Sequence, residues 1–342
     1  MSPRSYTEQE ILSQPDVWRE TLAVLDADRL CDGFGVSGSD IVVTGCGSTH
    51  YLALTAASLL RGAGRRAWAV PASELLPDAD PVMADPGRTV LLAFSRSGTT
   101  TETVLAVEHY RRLGGATVVA VTCYPDSALA RAADVVWVAS AAAERSVAQT
   151  RSFSAMLLVA QAIAGALGGS DPSELDKLPA HAERLLADAR VPTSEIARDP
   201  AFASFYFLAS DPLLGVASEG MLKLKEMSLT ASEAYHSMEF RHGPMSMCEP
   251  SAVVVGLVSP ERAAHELAVL DDVRPNTGRI VTIGDRADLH IPGSLPRWAR
   301  PALYLVPLQL LALDRALAKG LDPDHPRHLT AVIQLDVSPE TP

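Results

Sequence analysis

Aromatic residues make up only 5% of this 342-residue chain, and there are only four cysteines: Cys31, Cys46, Cys123 and Cys248. The cysteines are widely scattered and form no CxxC pair. That argues against a structural zinc or a disulfide framework and for a reducing compartment. No run approaches the roughly 18 apolar residues that a membrane span requires; even Ala155 to Leu167 is interrupted by Gln161. The N-terminal stretch is polar and lacks the apolar core of a secretory signal, so a soluble, cytoplasmic protein without membrane contact is expected. Positive charge is scarce too: 29 Lys and Arg against 41 Asp and Glu leave a net charge of −12. Such a field repels nucleic acid and anionic membranes, and an anionic ligand would need a local constellation to hold it. No His, Asp and Glu cluster has ligand spacing, so no metal and no cofactor is expected.

What is present is a hydrophobic content of 47%, too high for a disordered chain. The length fits one large or two medium α/β domains. Short β-branched runs alternate with longer Ala/Leu-rich stretches of helical period, the pattern of βα units on a parallel sheet. Strands are predicted at Ile41–Thr44, Ala67–Val70, Thr89–Phe94, Thr117–Val121 and Val135–Val138. After a polar loop at Glu144–Gln149, helices at about 150–167 and 172–189 read as a connector punctuated by Pro192. The strand pattern returns at Phe205–Leu208, Val253–Val258 and Ile280–Ile283, and a last helix covers Arg300–Ala318. Ser48 and Ser97, at strand ends in the first half, are as far apart as Ser210 and Ser259 in the second, which points to a degenerate duplication. The expected segments are an N-terminal helical stretch (1–40), a first unit with connector helices (41–190), a second unit (191–320) and a C-terminal tail (321–342).

Two loops of the first half, Gly45–Thr49 and Ser95–Thr100, lie between the C-terminal end of a strand and the start of a helix. Small residues let a ligand approach the backbone, and hydroxyls with free helical N–H groups bind phosphate without net positive charge. Helix capping is the ordinary role of such Ser and Thr residues. Two loops at the C-terminal edge of one sheet, where open α/β sheets bind ligands, turn the reading toward a site. Neither is a Walker A or GxGxxG sequence, so a small phosphorylated molecule fits better than a nucleotide. A second constellation is Glu219, Lys223 and Glu226, which fall at i, i+4 and i+7 on one helical face. A solvated ion pair is the ordinary reading. The apolar residues between them and the nearby Glu239-Phe240-Arg241-His242 also suit proton transfer at carbon, which needs a carboxylate beside a cation and a histidine.

The two loops, the Glu-Gly-Met-Leu-Lys-Leu-Lys-Glu helix (219–226) and Glu-Phe-Arg-His-Gly-Pro (239–244) together resemble sugar isomerase (SIS) domain proteins. The likeness runs from about Val42 to Leu335. It is similar above all to the isomerase half of glucosamine-6-phosphate synthase and to amino-sugar-phosphate deaminases. The resemblance implies two tandem SIS subdomains, each a parallel sheet flanked by helices in the doubly wound, flavodoxin-like manner. It implies that Ser48, Thr49, Ser95, Arg96, Ser97 and Thr100 hold a sugar phosphate, with Arg96 where the family often has Gln. Cys46, Gly47 and Val147 would line the sugar. Glu226 would be the base that moves a proton between C1 and C2, supported by Lys223 and Glu219. His242 would assist ring opening, contributed by the partner subunit of a homodimer with a shared site. The tail lysine of the synthase falls here at Ala331, and no glutaminase segment is seen. The expected activity is therefore an amino-sugar-phosphate deaminase and isomerase working without glutamine. An aldose–ketose isomerase or deglycase for another phosphosugar is the alternative, and a phosphosugar-sensing regulator is the non-enzymatic one.

Overall fold

The computed structural model describes residues 4–35, 39–77 and 82–333, so the end of the expected tail (334–342) lies outside the described residues. Within them, the β-branched runs form two sheets. The first contains β1 (Asp40–Gly45), β2 (Arg66–Pro71), β3 (Thr89–Phe94), β4 (Thr117–Thr122) and β5 (Val135–Val138), all parallel, in the order 2-1-3-4-5. The second contains β6 (Ser204–Ala209), β7 (Ala231–His236), β8 (Ala252–Val258), β9 (Arg279–Gly284) and β10 (Leu289–His290), in the order 10-9-8-6-7. Counted from its own first strand, that is again 2-1-3-4-5, so the duplication anticipated from the serine spacing is present in the topology. Helices cover both faces of each sheet, which is why β3 and β8 are buried along their whole length.

The helices are α1 (Tyr6–Leu12), α2 (Gln14–Ala23), α3 (Ser48–Gly62), α4 (Thr101–Arg112), α5 (Ala128–Ala132), α6 (Arg151–Leu167), α7 (Leu178–Arg198), α8 (Leu214–Ser228), α9 (Ala263–Val273) and α10 (Pro301–Ala318). Three local expectations need correction. Pro192 does not interrupt the chain, because α7 runs through it. Side-chain bonds from Thr193 to Asp314 and from Arg315 to the carbonyl of Ala197 tie that helix to α10. The polar strand β7 carries no hydrophobic run; it is an edge strand with exposed alternate residues. Finally, α10 is itself long and apolar enough to cross a membrane, yet 83% of it is buried, as befits a core helix packed on α7 and α8.

The two halves meet along α3 and α8, which pack antiparallel. Lys223 near the end of α8 touches Ser48 at the start of α3, whereas Asp211 just before α8 pairs with Arg61 near the end of α3. The crossing is close enough to require glycine at 215. A Cβ there would lie 2.2 Å from the Tyr51 carbonyl oxygen and 2.5 Å from Thr55 Oγ1. Because the helices oppose each other, the C-terminal edge of the first sheet and the C-terminal end of α8 lie at the same end of the molecule.

Candidate active site

Strands β1 and β3 are neighbours in register, so their C-terminal turns lie side by side. At the first turn Gly47 has φ +55° and ψ −123°, and a Cβ on it would meet nothing within 4 Å. This glycine is exposed and leaves open space above the start of α3. The Ser48 hydroxyl accepts a hydrogen bond from Lys223 Nζ at 3.2 Å. Thr49 points the other way. Its hydroxyl donates to the Cys46 carbonyl and accepts from the Cys46 N–H, both at 2.9 Å, so it fixes the turn rather than offering a donor to a ligand. Cys46 Sγ lies 3.4 Å from Thr103 Oγ1 of α4, tying the first turn to the helix that follows the second. Burial, the main cause, pushes the Cys46 thiol up to about 11, so it is a neutral wall and not a nucleophile.

The second turn is organised by its own hydroxyls. Ser95 Oγ accepts from Gly98 N at 3.1 Å and lies 3.3 Å from Thr100 Oγ1, while Ser97 Oγ accepts from the Thr99 N–H at 3.2 Å. Thr100, the N-cap of α4, makes no side-chain cap bond, so helix capping does not explain it. Ser97 and Thr100 are half-buried and Thr99 is exposed. The Thr99 hydroxyl, absent from the residues expected on the phosphate, donates to Ser97 Oγ at 3.1 Å at the exposed tip of this turn.

Glu219, Lys223 and Glu226 converge from α8 as their spacing predicted. Lys223 is 1% exposed, with Nζ 2.5 Å from Glu226 Oε2 and 3.3 Å from Glu219 Oε1. Glu219 is fully buried, and that burial pushes its carboxyl up to about 8, with Lys223 opposing the shift and Glu226 adding to it. Burial thus favours the protonated form of Glu219. Burial works against the Lys223 ammonium, but Glu219 and Glu226 outweigh it and hold the lysine above its ordinary range. Glu226 alone of the three reaches solvent, at 20% side-chain exposure. The ion pair is therefore not the solvated surface pair of the ordinary reading.

Three other residues are placed differently from expectation. Arg96, expected on the phosphate, is 7% exposed, and its guanidinium turns away to Glu144, to the Ser146 and Val147 carbonyls and to the Ala331 carbonyl. Val147 has its carbonyl on Arg96 and its N–H on the Asp324 carbonyl at 3.3 Å, so its backbone is occupied. His242 is exposed and lies six residues beyond the C-terminal end of β7, whereas Glu226 lies just before the start of that strand. Six strand residues separate the two levels by about 20 Å. Within one chain His242 and Glu226 thus belong to opposite ends of β7. No group of three or more His, Cys, Asp and Glu residues with metal-binding geometry occurs among the described residues.

A family model described as the SIS domain matches residues 37–166 and 206–292, the two sheets with their helices. This chain belongs to the SIS domain family. It is 28% identical over 96% of its length to the glutamine–fructose-6-phosphate aminotransferase (isomerizing) of Pyrococcus horikoshii, but spans only 57% of that relative. Among solved structures, a glucosamine-6-phosphate deaminase from Thermotoga maritima superposes with a TM-score of 0.88 at 26% identity, covering 97% of this chain and 100% of that one. The tagatose-6-phosphate ketose/aldose isomerase of Escherichia coli shares the fold, with a TM-score of 0.85 at 24% identity over 95% of this chain and 97% of its own. Within the SIS domain fold, the two β–α turns and the end of α8 form one concentration of hydroxyls, open backbone and buried charge.

Proposed function

We propose that this SIS domain protein is an amino-sugar-phosphate deaminase and isomerase, taking a substrate such as glucosamine 6-phosphate to a ketose 6-phosphate and ammonia. The observation that carries the reading is the Ser48–Lys223–Glu226 chain of contacts, which joins the hydroxyl-rich turns of one half to the carboxylate of the other. The likeness to the Thermotoga maritima deaminase along its whole length supports it. Phosphate would sit on the Ser95–Thr100 turn and the start of α3, held by hydroxyls and backbone N–H groups. In the open-chain sugar, Glu226 takes the proton from C2 while O1 gains one from the substrate's own ammonium group, giving an enolamine with a C1–C2 double bond. Returning that proton to C1 leaves a C2 iminium, and water adds there and expels ammonia. One water is consumed, and one ketose phosphate and one ammonia are formed. Lys223 keeps Glu226 oriented, and Glu219 holds Lys223 in place from the other side.

His242 is assigned to ring opening in trans. Its separation from Glu226 within one chain favours a homodimer in which each site draws His242 from the partner. The test is a panel of aldose and amino-sugar phosphates assayed for ketose and ammonia in the same reaction. Equal amounts of both from glucosamine 6-phosphate are expected. Ketose formed only from neutral aldose phosphates, without ammonia, would replace the reading with simple isomerisation, and no turnover of any sugar phosphate would favour a sensor.

A further inference from the structure

Arg96 of the Ser95–Thr100 turn is buried, and the groups it meets come from distant parts of the chain. Its Nη2 donates to the Ala331 carbonyl at 2.7 Å, and its Nη1 donates to the Val147 carbonyl at 3.0 Å and the Ser146 carbonyl at 3.3 Å. Glu144 Oε2, fully buried, lies 3.5 Å away and supplies the counter-charge. Glu144 is fixed in turn by the N–H and hydroxyl of Thr150 and by Ser152. Two residues past Ala331, the Ile333 carbonyl accepts from the Thr101 N–H at 3.5 Å, so the tail lies along the start of α4. Upstream, Asp324 carries the tail to both remaining partners. Its carbonyl accepts from Val147 N, and its carboxylate accepts from the N–H groups of Tyr6 and Thr7 at 2.8 and 2.7 Å. Glu10 of the same α1 reaches back to the N–H groups of Arg145 and Ser146. The N-terminal helix, the 144–150 loop, the tail and the phosphate turn thus form one closed hydrogen-bonded circuit.

We infer that Arg96 is a positioning residue that latches the C-terminal tail onto the phosphate turn, so that tail closure and retention of the sugar phosphate are coupled. The physical basis is that the same backbone segment, Ser95–Arg96–Ser97, presents hydroxyls on one side and the guanidinium on the other. Any ligand that orders the turn orders the anchor, and the anchored tail in turn holds the turn in its binding shape. Arginine suits this task because its planar fork can serve several carbonyls at once while keeping its charge. A shorter neutral amide at position 96 has neither the reach nor the charge to engage Glu144 and three carbonyls together. The inference rests on the proposed sugar-phosphate site but assigns Arg96 away from the ligand itself.

The test uses the full chain with Arg96→Gln, Asp324→Ala and the double variant. Tail mobility is read by hydrogen exchange and limited proteolysis without ligand. Binding is read with inorganic phosphate, and turnover with glucosamine 6-phosphate. The latch predicts faster tail exchange in both single variants, the same loss of affinity for inorganic phosphate in both, and a KM for the sugar phosphate raised about tenfold with kcat changed much less, the effect of losing one charge-assisted hydrogen bond. The double variant should be no worse than Arg96→Gln alone, because both changes open the same circuit. Loss of inorganic-phosphate affinity in Arg96→Gln with an unaltered tail would overturn the inference in favour of a direct phosphate ligand. Additive effects in the double variant would overturn it as well. If the substrate proves to be another phosphosugar, the tail-exchange and inorganic-phosphate readouts still decide the question for Arg96, and only the proposed function fails.

Discussion

After β1 and β3 the chain turns through Gly45–Thr49 and Ser95–Thr100; at the equivalent places in the second sheet, after β6 and β8, it turns through Ser210–Leu213 and Ser259–Arg262. The strand order is the same, and so is the rise of a helix from each turn. The donors differ. Neither first-half turn contains proline, and Gly47 leaves its backbone open. The second-half turns contain Pro212 and Pro260, each removing a backbone N–H. The Ser259 N–H and hydroxyl are already bonded to Glu266 Oε2, at 2.7 and 3.1 Å. A buried carboxylate of the protein thus occupies in the second half the kind of donors that the first half leaves for an external anion. What the second half brings toward the first-half turns is the charged far end of α8, with Lys223 against Ser48. On the proposed function, the duplicated fold divides its labour, one copy holding the anion and the other supplying the proton-transfer group.

The largest effect expected from this division is at Glu226. Glu226→Gln should lower turnover by about 10²–10⁴ while phosphate binding in the first-half turns persists, as steady-state kinetics and calorimetry on the same protein would show. Lys223→Met leaves the carboxylates of α8 without their buried cation and should destabilise the fold by about 3–5 kcal/mol, read by urea denaturation. The two sets of turns can then be set against each other directly. Glu266→Ala strips the internal anion from the second half and should reduce stability by about 1–3 kcal/mol with KM unchanged. Ser97→Ala in the first half should raise KM and leave stability within about 0.5 kcal/mol of the parent. The opposite pattern would mean that the halves have exchanged roles.

A pH slope tests the buried end of α8 separately. The Glu219 carboxyl is raised from its ordinary value to about 8 in the folded state, so between its unfolded value and pH 8 the folded protein binds the extra proton. Its stabilising influence is complete at low pH and is lost as pH rises through that window, by at most about 1.4 kcal/mol per pH unit. Glu219→Gln should flatten the fall in stability between pH 5 and 8. An identical slope in parent and variant would show that Glu219 is not the group responsible.

Much of the fold was legible because parallel strands buried on both faces announce themselves as continuous apolar runs, as β3 and β8 do. The polar edge strand β7 was not, since only its pairing with β6 makes it a strand. The α8 cluster could be read from helical periodicity, because spacing alone fixes which side chains share a face. The orientation of Arg96 and Thr49 could not. Both sit within turns whose hydroxyls and backbone do face open space, and only contacts from residues far away in sequence, or back onto the turn itself, decide where each side chain points. His242 shows the same limit at larger scale, for its separation from Glu226 follows from β7, the polar edge strand that lies between them.

The most direct measurement is a crystal structure of the Glu226→Gln protein with glucosamine 6-phosphate bound. The account predicts the phosphate on the Ser95–Thr100 turn beside Ser48, with C1 and C2 of the sugar next to residue 226. A phosphate bound instead at the Ser210 and Ser259 turns of the second half would contradict it.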